Sequence, residues 1–360
     1  MKNNTWNNLK VKHQILQIGL SLLLLVVSNC TCKLPIKDGN DSNNFESLDT
    51  PDNPGKPPVN QGLGGGITNI GNSCYMNATL QLLKAVYPHV FEGKSDPISQ
   101  AGQKLMDALD GPAGADSATA ESFFQALTDK VSGPWKPAGY KTQEDAYDLL
   151  RILFAYFKFP EAQIQSIINN TSIGLSKSPS NPNPRPGNSD LFNILPVQIS
   201  KSGKTMQDYF DANFGKKETI NDYKWGGELQ PTPGIQIHRV LDGLDQLYKD
   251  ILVVHLLKYK FKKKDNGEVQ ETKLDKLAKN PFRLVINKEQ LLKEESKATA
   301  YELIGFILHS GSTGGGHYEA YAKKGEQWVW YNDSRVSIPS DQDLNGAAEK
   351  AYVYFYKPVN

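Results

Sequence analysis

Cysteine is scarce in this chain of 360 residues, with three in all, Cys30, Cys32 and Cys74. Two of them fall within the first 32 residues, so the rest of the chain carries a single thiol, which excludes an internal disulfide and a four-cysteine zinc site there. A surplus of charge is missing too. Forty Lys and Arg stand against 39 Asp and Glu, a net of +1, without the basic excess expected of a nucleic-acid binder. The one short basic run, "KYKFKKKD" from Lys258, is followed by acidic residues and reads as a solvated strand end and turn. The apolar run from Ile15 to Val27 is short for a membrane span. What remains, 39% hydrophobic residues, suffices to bury the core of one or two domains.

The chain divides by composition. Lys10 and Lys12 precede "ILQIGLSLLLLVVSNC", which reads as a signal peptide. Val27 and Cys30 resemble a bacterial lipobox, with Asn29 where a small residue is usual, so residues 1–32 are expected to be a signal peptide or a lipoprotein signal and anchor. Residues 33–60, rich in Asp, Asn, Ser, Pro and Gly, cannot offset their own ordering entropy and read as a flexible linker. Residues 61–360 are the folded domain. Within it, "SKSPSNPNPRPGNSD", Ser176 to Asp190, reads as an insertion loop.

Cys74 stands in "GITNIGNSCYMNATLQLL". Met76, Leu80 and Leu83 have helical spacing, and Gly71, Asn72 and Ser73 are turn and N-cap residues, which places the sulfur in a first helical turn. There the positive end of the helix favours thiolate, the nucleophilic form. Asn69 is either an ordinary turn residue or an amide donor to a developing oxyanion. A base is offered by "YELIGFILHSGSTGGGHYEAYAKKGEQWVWYNDSRVS": two strand-like runs flank a glycine-rich loop, and His317 opens the second. A third run, "WVWY", ends at Asn332 and Asp333, either of which can orient an imidazole.

The cysteine stretch resembles the cysteine box of the ubiquitin-specific proteases, and "GGHYEAYAKKGEQWVWYNDSRVS" resembles their histidine box. "QEDAYDLLRIL" from Gln143, "LFNILPVQI" from Leu191 and "ILVVHLLKYKF" from Ile251 resemble three further blocks of that family in the same order, so the likeness spans roughly residues 62 to 358.

That resemblance implies an α+β, papain-like fold with a helical thumb, a β-sheet palm and fingers. The Cys-x-x-Cys pairs that bind zinc in many members are absent here, so the fingers are expected to be reduced and metal-free, and no cofactor is expected. It implies a deubiquitinating cysteine protease with Cys74 as nucleophile, His317 as base and then acid, Asn332 as the orienting residue with Asp333 close behind, and Asn69 as oxyanion donor. Asp145, with Gln143, would hold the extended tail of ubiquitin, and His309, read as a loop residue, would border its channel with Gly316 and Tyr318. Asp145 reads equally as first-turn stabilisation of a helix capped by Thr142, Tyr318 equally as packing, and His255 as a core strand residue. Ubiquitin or ubiquitinated proteins are the expected partners of a monomer that touches a membrane only through its N-terminal segment. The alternatives are a same-fold protease for another ubiquitin-like modifier and an inactive ubiquitin-binding module. A lipobox with a eukaryotic substrate is reconciled by export from a bacterium in contact with host cells; an anchored eukaryotic protein is the other reading.

Overall fold

The computed structural model describes residues 62–130, 143–170, 174–175, 186–220, 224–225, 228–229, 235–244, 251–263, 269–274, 277–292, 299–312 and 315–359. The signal segment, residues 1–32, and the linker, residues 33–60, lie outside the described residues. None of the described helices is long and apolar enough to cross a membrane.

Helices are α1 (Cys74–Val86), α2 (Pro97–Asp110), α3 (Ser117–Lys130), α4 (Ala146–Tyr156), α5 (Met206–Asn213) and α6 (Asp341–Lys350). Their starts follow from local chemistry. Asp96 caps α2 by accepting from Ser99 N, with Pro97 at the first position, where its missing N–H costs nothing. Thr205 and Asp208 form a reciprocal capping box on α5. At α4 the cap is Asp145, which accepts from Tyr147 N, not Thr142, which lies outside the described residues.

An eight-stranded sheet forms the palm. Its strands run in the order Arg335–Ser337, Gln327–Asn332, Gly315–Lys324, Thr299–Ser312, Val353–Pro358, Leu252–Leu257 and Leu195–Gln198, with Arg283–Ile286 also paired to Thr299–Ser312. All pairings are antiparallel except that of Leu195–Gln198 with Leu252–Leu257. Both faces are covered, and the alternation of side chains divides the core. Along Val353–Pro358, Val353 and Phe355 join α1–α4 on one face, while Tyr354 and Tyr356 join the opposite cluster with Phe210 of α5 and Ala348 of α6. The arrangement is α+β.

A second sheet runs in the order Gly174–Leu175, Ala162–Asn170, Ile235–Asp242 and Glu218–Ile220, with Pro186–Phe192 also paired to Ala162–Asn170. The insertion loop expected at Ser176–Asp190 is therefore corrected at its end: from Pro186 the chain is strand, its ladder on Ala162–Asn170 supplying hydrogen bonds that the polar composition conceals. Among the described residues no group of three or more His, Cys, Asp or Glu is placed to hold a metal ion.

Candidate active site

Cys74 is the first residue of α1 and 4% exposed. The turn before it is built on Asn69, whose Oδ1 accepts from Gly71 N (3.0 Å) and Ser73 Oγ (3.2 Å). An asparagine that bonds the backbone two residues on is a local turn former, and here it delivers the chain to the helix start. Asn69 is itself exposed, and its Nδ2 donates to Asp333 Oδ2 at 2.9 Å.

His317 lies on Gly315–Lys324, opposite Ser310 of the neighbouring strand. Its Nε2 is 2.7 Å from Asn332 Oδ1, and it hydrogen-bonds Cys74. The hydrogen bond to Cys74, seconded by Asn332 and by the charge of Asp333, raises the imidazole from its usual 6.5 to about 9 against the opposing effect of burial. Cys74, His317 and Asn332 therefore form one line of contacts.

Asn332 and Asp333 part at the strand end. Asn332 ends Gln327–Asn332, while Asp333 turns with φ +52° into the left-handed region, which an aspartate tolerates better than most residues. The turn brings Asp333 against the cysteine segment and α1. Its Oδ1 accepts from Asn77 Nδ2 (2.7 Å), its Oδ2 from Asn69, and its backbone carbonyl from Ile67 N (2.9 Å) and Gln81 Nε2 (2.8 Å). Backbones meet closely here: a Cβ on Gly66 would sit 2.2 Å from the Asp333 carbonyl oxygen. Asp333 thus joins the cysteine segment to the histidine sheet.

Gln143 precedes α4 and reaches into the same place. Its amide makes a two-way bond with the backbone of Gly316, donating to the carbonyl and accepting from the N–H, each at 2.8 Å, and its Nε2 lies 3.7 Å from Cys74 Sγ. Gly316 has no room for a side chain, since a Cβ would meet Ser310 O at 2.2 Å and His309 Nε2 at 2.4 Å. His309 is a strand residue on Thr299–Ser312, not the loop residue expected, because the hairpin ladder continues to Ser312 opposite Gly315. Its ring stacks on Tyr318 at 4.4 Å, and its Nδ1 is 3.0 Å from Tyr259 Oη. Burial and the charges of Lys273 and His317 lower it to about 4. Tyr318 is 6% exposed and belongs to the helical core. His309 and Gly316 thus border the site, with Tyr318 packed beneath them.

Asp145 Oδ1 accepts from Tyr147 N and from Tyr352 Oη, both at 2.8 Å, and burial raises its carboxyl. One turn later Asp148, unremarked in the sequence reading, is pushed up to about 6 by burial and by Asp145. His255 is a core strand residue stacked on Tyr147, lowered by burial to about 3. Asn77, Gln81 and Glu319 also join the site, although no motif in the sequence marks them. Asn77 and Gln81 follow Cys74 at helical spacing and are both buried, which is the signal of a buried polar partner.

Against known proteins, residues 65–356 match the family model described as ubiquitin carboxyl-terminal hydrolase. The Arabidopsis thaliana protein named putative ubiquitin carboxyl-terminal hydrolase 11 is 30% identical over 171 residues, covering 46% of this chain and 18% of its own length. Ubiquitin carboxyl-terminal hydrolase 24 of the same plant is 23% identical over 379 residues, covering 84% and 66%. Ubiquitin carboxyl-terminal hydrolase 8 of Saccharomyces cerevisiae is 26% identical over 345 residues, covering 81% and 70%. The chain thus spans less than two thirds of the length of the first two of these relatives. Among solved structures, the SAGA Ubp8/Sgf11/Sus1/Sgf73 DUB module bound to ubiquitin aldehyde superposes with a TM-score of 0.63 at 20% identity, over 96% of this chain and 76% of that one. It shares the fold.

Proposed function

The chain belongs to the ubiquitin carboxyl-terminal hydrolase family, and from that premise we propose that it is a deubiquitinating cysteine protease with Cys74 as nucleophile, His317 as general base and acid, and Asn332 as orienting residue. The observation that carries this reading is the line of contacts from Cys74 through His317 to Asn332, in which the imidazole is raised to about 9 chiefly by its bond to the cysteine. An imidazole bonded to both the sulfur and an orienting amide is placed to take the thiol proton and to return it to the leaving group, and Cys74 and His317 act as a pair.

The chemistry follows from that pair. Cys74 Sγ attacks the carbonyl carbon of the terminal glycine of ubiquitin, and the carbonyl oxygen takes up negative charge. His317 passes its proton to the departing amine as the C–N bond breaks, leaving a thioester on Cys74. Water, deprotonated by the now neutral His317, attacks the thioester, and the carboxylate and the thiol are released. Asn69 carries a second Nδ2 hydrogen beyond the one engaged by Asp333, and that hydrogen is assigned to the oxyanion together with backbone N–H groups at the start of α1.

Gln143, Gly316 and His309 are assigned to the tail of the substrate. In the free protein the Gln143 amide makes a ladder-like pair with Gly316, so an incoming extended chain exchanges these bonds for its own. A channel whose wall is a glycine pressed against His309 suits a substrate that ends in glycines. Ubiquitin is favoured as the modifier because a solved relative of the same fold is named as bound to ubiquitin aldehyde.

The test is hydrolysis of fluorogenic C-terminal amides of ubiquitin and of other ubiquitin-like proteins by the full chain. Release from ubiquitin that is lost in Cys74→Ala is the expected result. Release only from another modifier would move the substrate, and equal release by Cys74→Ala would overturn the reading.

A further inference from the structure

Glu319 stands two residues beyond His317 on the same strand, so both side chains project from the same face. The ladder pairs Ala320 with Tyr331, and the next pair in that register sets Glu319 opposite Asn332. The carboxylate is used accordingly. Glu319 Oε1 accepts from Asn332 Nδ2 at 3.2 Å and from Trp330 Nε1 at 3.1 Å. Asn332 is thereby bonded at both ends of its amide, with its oxygen toward His317 Nε2 and its nitrogen toward Glu319.

An amide has nearly the same shape when flipped, and flipped it would present N–H hydrogens to the N–H of a protonated imidazole. A carboxylate on the far side forbids that flip because it accepts and cannot donate. It also supplies the negative charge that an asparagine lacks. Burial raises the carboxyl of Glu319, and the charge of His317, on the other side of the Asn332 amide, acts on it in the opposite direction.

We propose that Glu319 is a positioning residue of this site, acting through Asn332: its carboxylate locks the Asn332 amide with the oxygen toward His317 and lends that amide part of the character of an aspartate. The inference rests on the reading of Cys74, His317 and Asn332 given above. Trp330 completes the lock by fixing the shared Oε1 from the side.

The decisive experiment exchanges the two chemistries. In Asn332→Asp alone, two carboxylates would share the space of one hydrogen bond, and like charges there cannot both stay ionised at little cost. In Asn332→Asp with Glu319→Gln, the carboxylate lies beside the imidazole and the amide behind it, one charge and one donor with places exchanged. With the full chain and a fluorogenic ubiquitin amide, Glu319→Ala is expected to lower kcat on the order of 10- to 100-fold with KM changed less than about threefold. Asn332→Asp is expected to fall by about as much, and the double variant to regain about tenfold or more over Asn332→Asp. A Glu319→Ala protein with wild-type kcat, or a double variant no more active than Asn332→Asp, would overturn the proposal. A side chain that merely stabilised the fold would give no rescue.

A second arm needs no ubiquitin and so separates this inference from the substrate assignment. The rate of alkylation of Cys74 by iodoacetamide, followed as the Cys74 peptide by mass spectrometry, reports the thiolate–imidazolium pair as a function of pH. The titratable groups facing His317 are Cys74, Asp333 and, on the adjacent strand, His309, and those facing Glu319 besides His317 and Asp333 include Tyr321, on which Asp343 also acts; all stay in place in the variant. Glu319→Ala is expected to move the His317 limb of the profile to lower pH. An unmoved limb contradicts the proposal, whatever the protein does to ubiquitin.

Discussion

His317 is held by its own sheet, with Asn332 only 15 residues away on the adjacent strand, whereas Cys74 is held in place by a residue that arrives from 252 to 264 positions along the chain. On the imidazole side, His317, Glu319, Trp330 and Asn332 form a patch whose partners are set by register alone. On the cysteine side, the Asp333 carboxylate and carbonyl gather Asn69, Asn77, Gln81 and Ile67. The first region sets the orientation of the base. The second sets the distance between base and nucleophile. Chemistry and scaffold are thus divided between adjacent residues, Asn332 and Asp333, by one left-handed turn.

That division can be broken on either side. The largest loss of turnover is expected from Asn332→Ala, on the order of 10- to 1000-fold, since the imidazole loses the acceptor that orients it. Its melting temperature should fall by less than that of Asp333→Ala, because it gives up two part-buried hydrogen bonds, to His317 and Glu319, and frees no buried partner in the helical core. Asp333→Ala should show the reverse balance. Buried Asn77 loses a charged acceptor, worth ~1–3 kcal/mol, while exposed Asn69 turns to water; the loss corresponds to a fall of roughly 2–10 °C in melting temperature. Turnover should drop by less than in Asn332→Ala. Parallel kinetics and thermal melts check both. An Asp333→Ala protein that melts like wild type while losing more turnover would make Asp333 the orienting residue.

A smaller effect is expected from pH. His317 is raised from 6.5 in the unfolded chain to about 9 in the folded one, so the stability it contributes is fully present below about 6.5 and is lost as pH rises through about 9. Melting temperature measured between those limits should therefore decline with pH, and the decline should flatten in Cys74→Ala, which removes the largest cause of the shift. A slope unchanged by Cys74→Ala would place the cause of the shift elsewhere. The smallest effect belongs to metal: with no candidate metal cluster among the described residues, strong chelators should leave both activity and melting unchanged.

The same comparison explains what could be read in the chain beforehand. Cys74 stood out because turn residues and a helical repeat meet there, and His317 and Asn332 because strand alternation carries over a short hairpin. Glu319 was legible by the same means. The turn after Lys324 pairs Lys324 with Gln327, and counting back along the ladder leads to Glu319 opposite Asn332. The role of Asp333 was not legible, because no local rule states which residues a helix and a distant strand bring together. Asn77 and Gln81 marked only that some polar partner was required. His309 was misplaced in a loop because glycine and serine composition suggests a turn, while backbone pairing, which ignores side chains, extended the ladder to Ser312. Thr142, the cap expected for α4, lies outside the described residues, and the cap is Asp145, whose carboxylate accepts from Tyr147 N.

The measurement that bears most directly on the central claim is the intact mass of the full chain after exposure to ubiquitin bearing a C-terminal electrophile, followed by peptide mapping. One added ubiquitin, bonded to Cys74 and absent in Cys74→Ala, is the result predicted here. An adduct on Cys30 or Cys32, an adduct that persists in Cys74→Ala, or none from a protein that reacts with another ubiquitin-like modifier would contradict it.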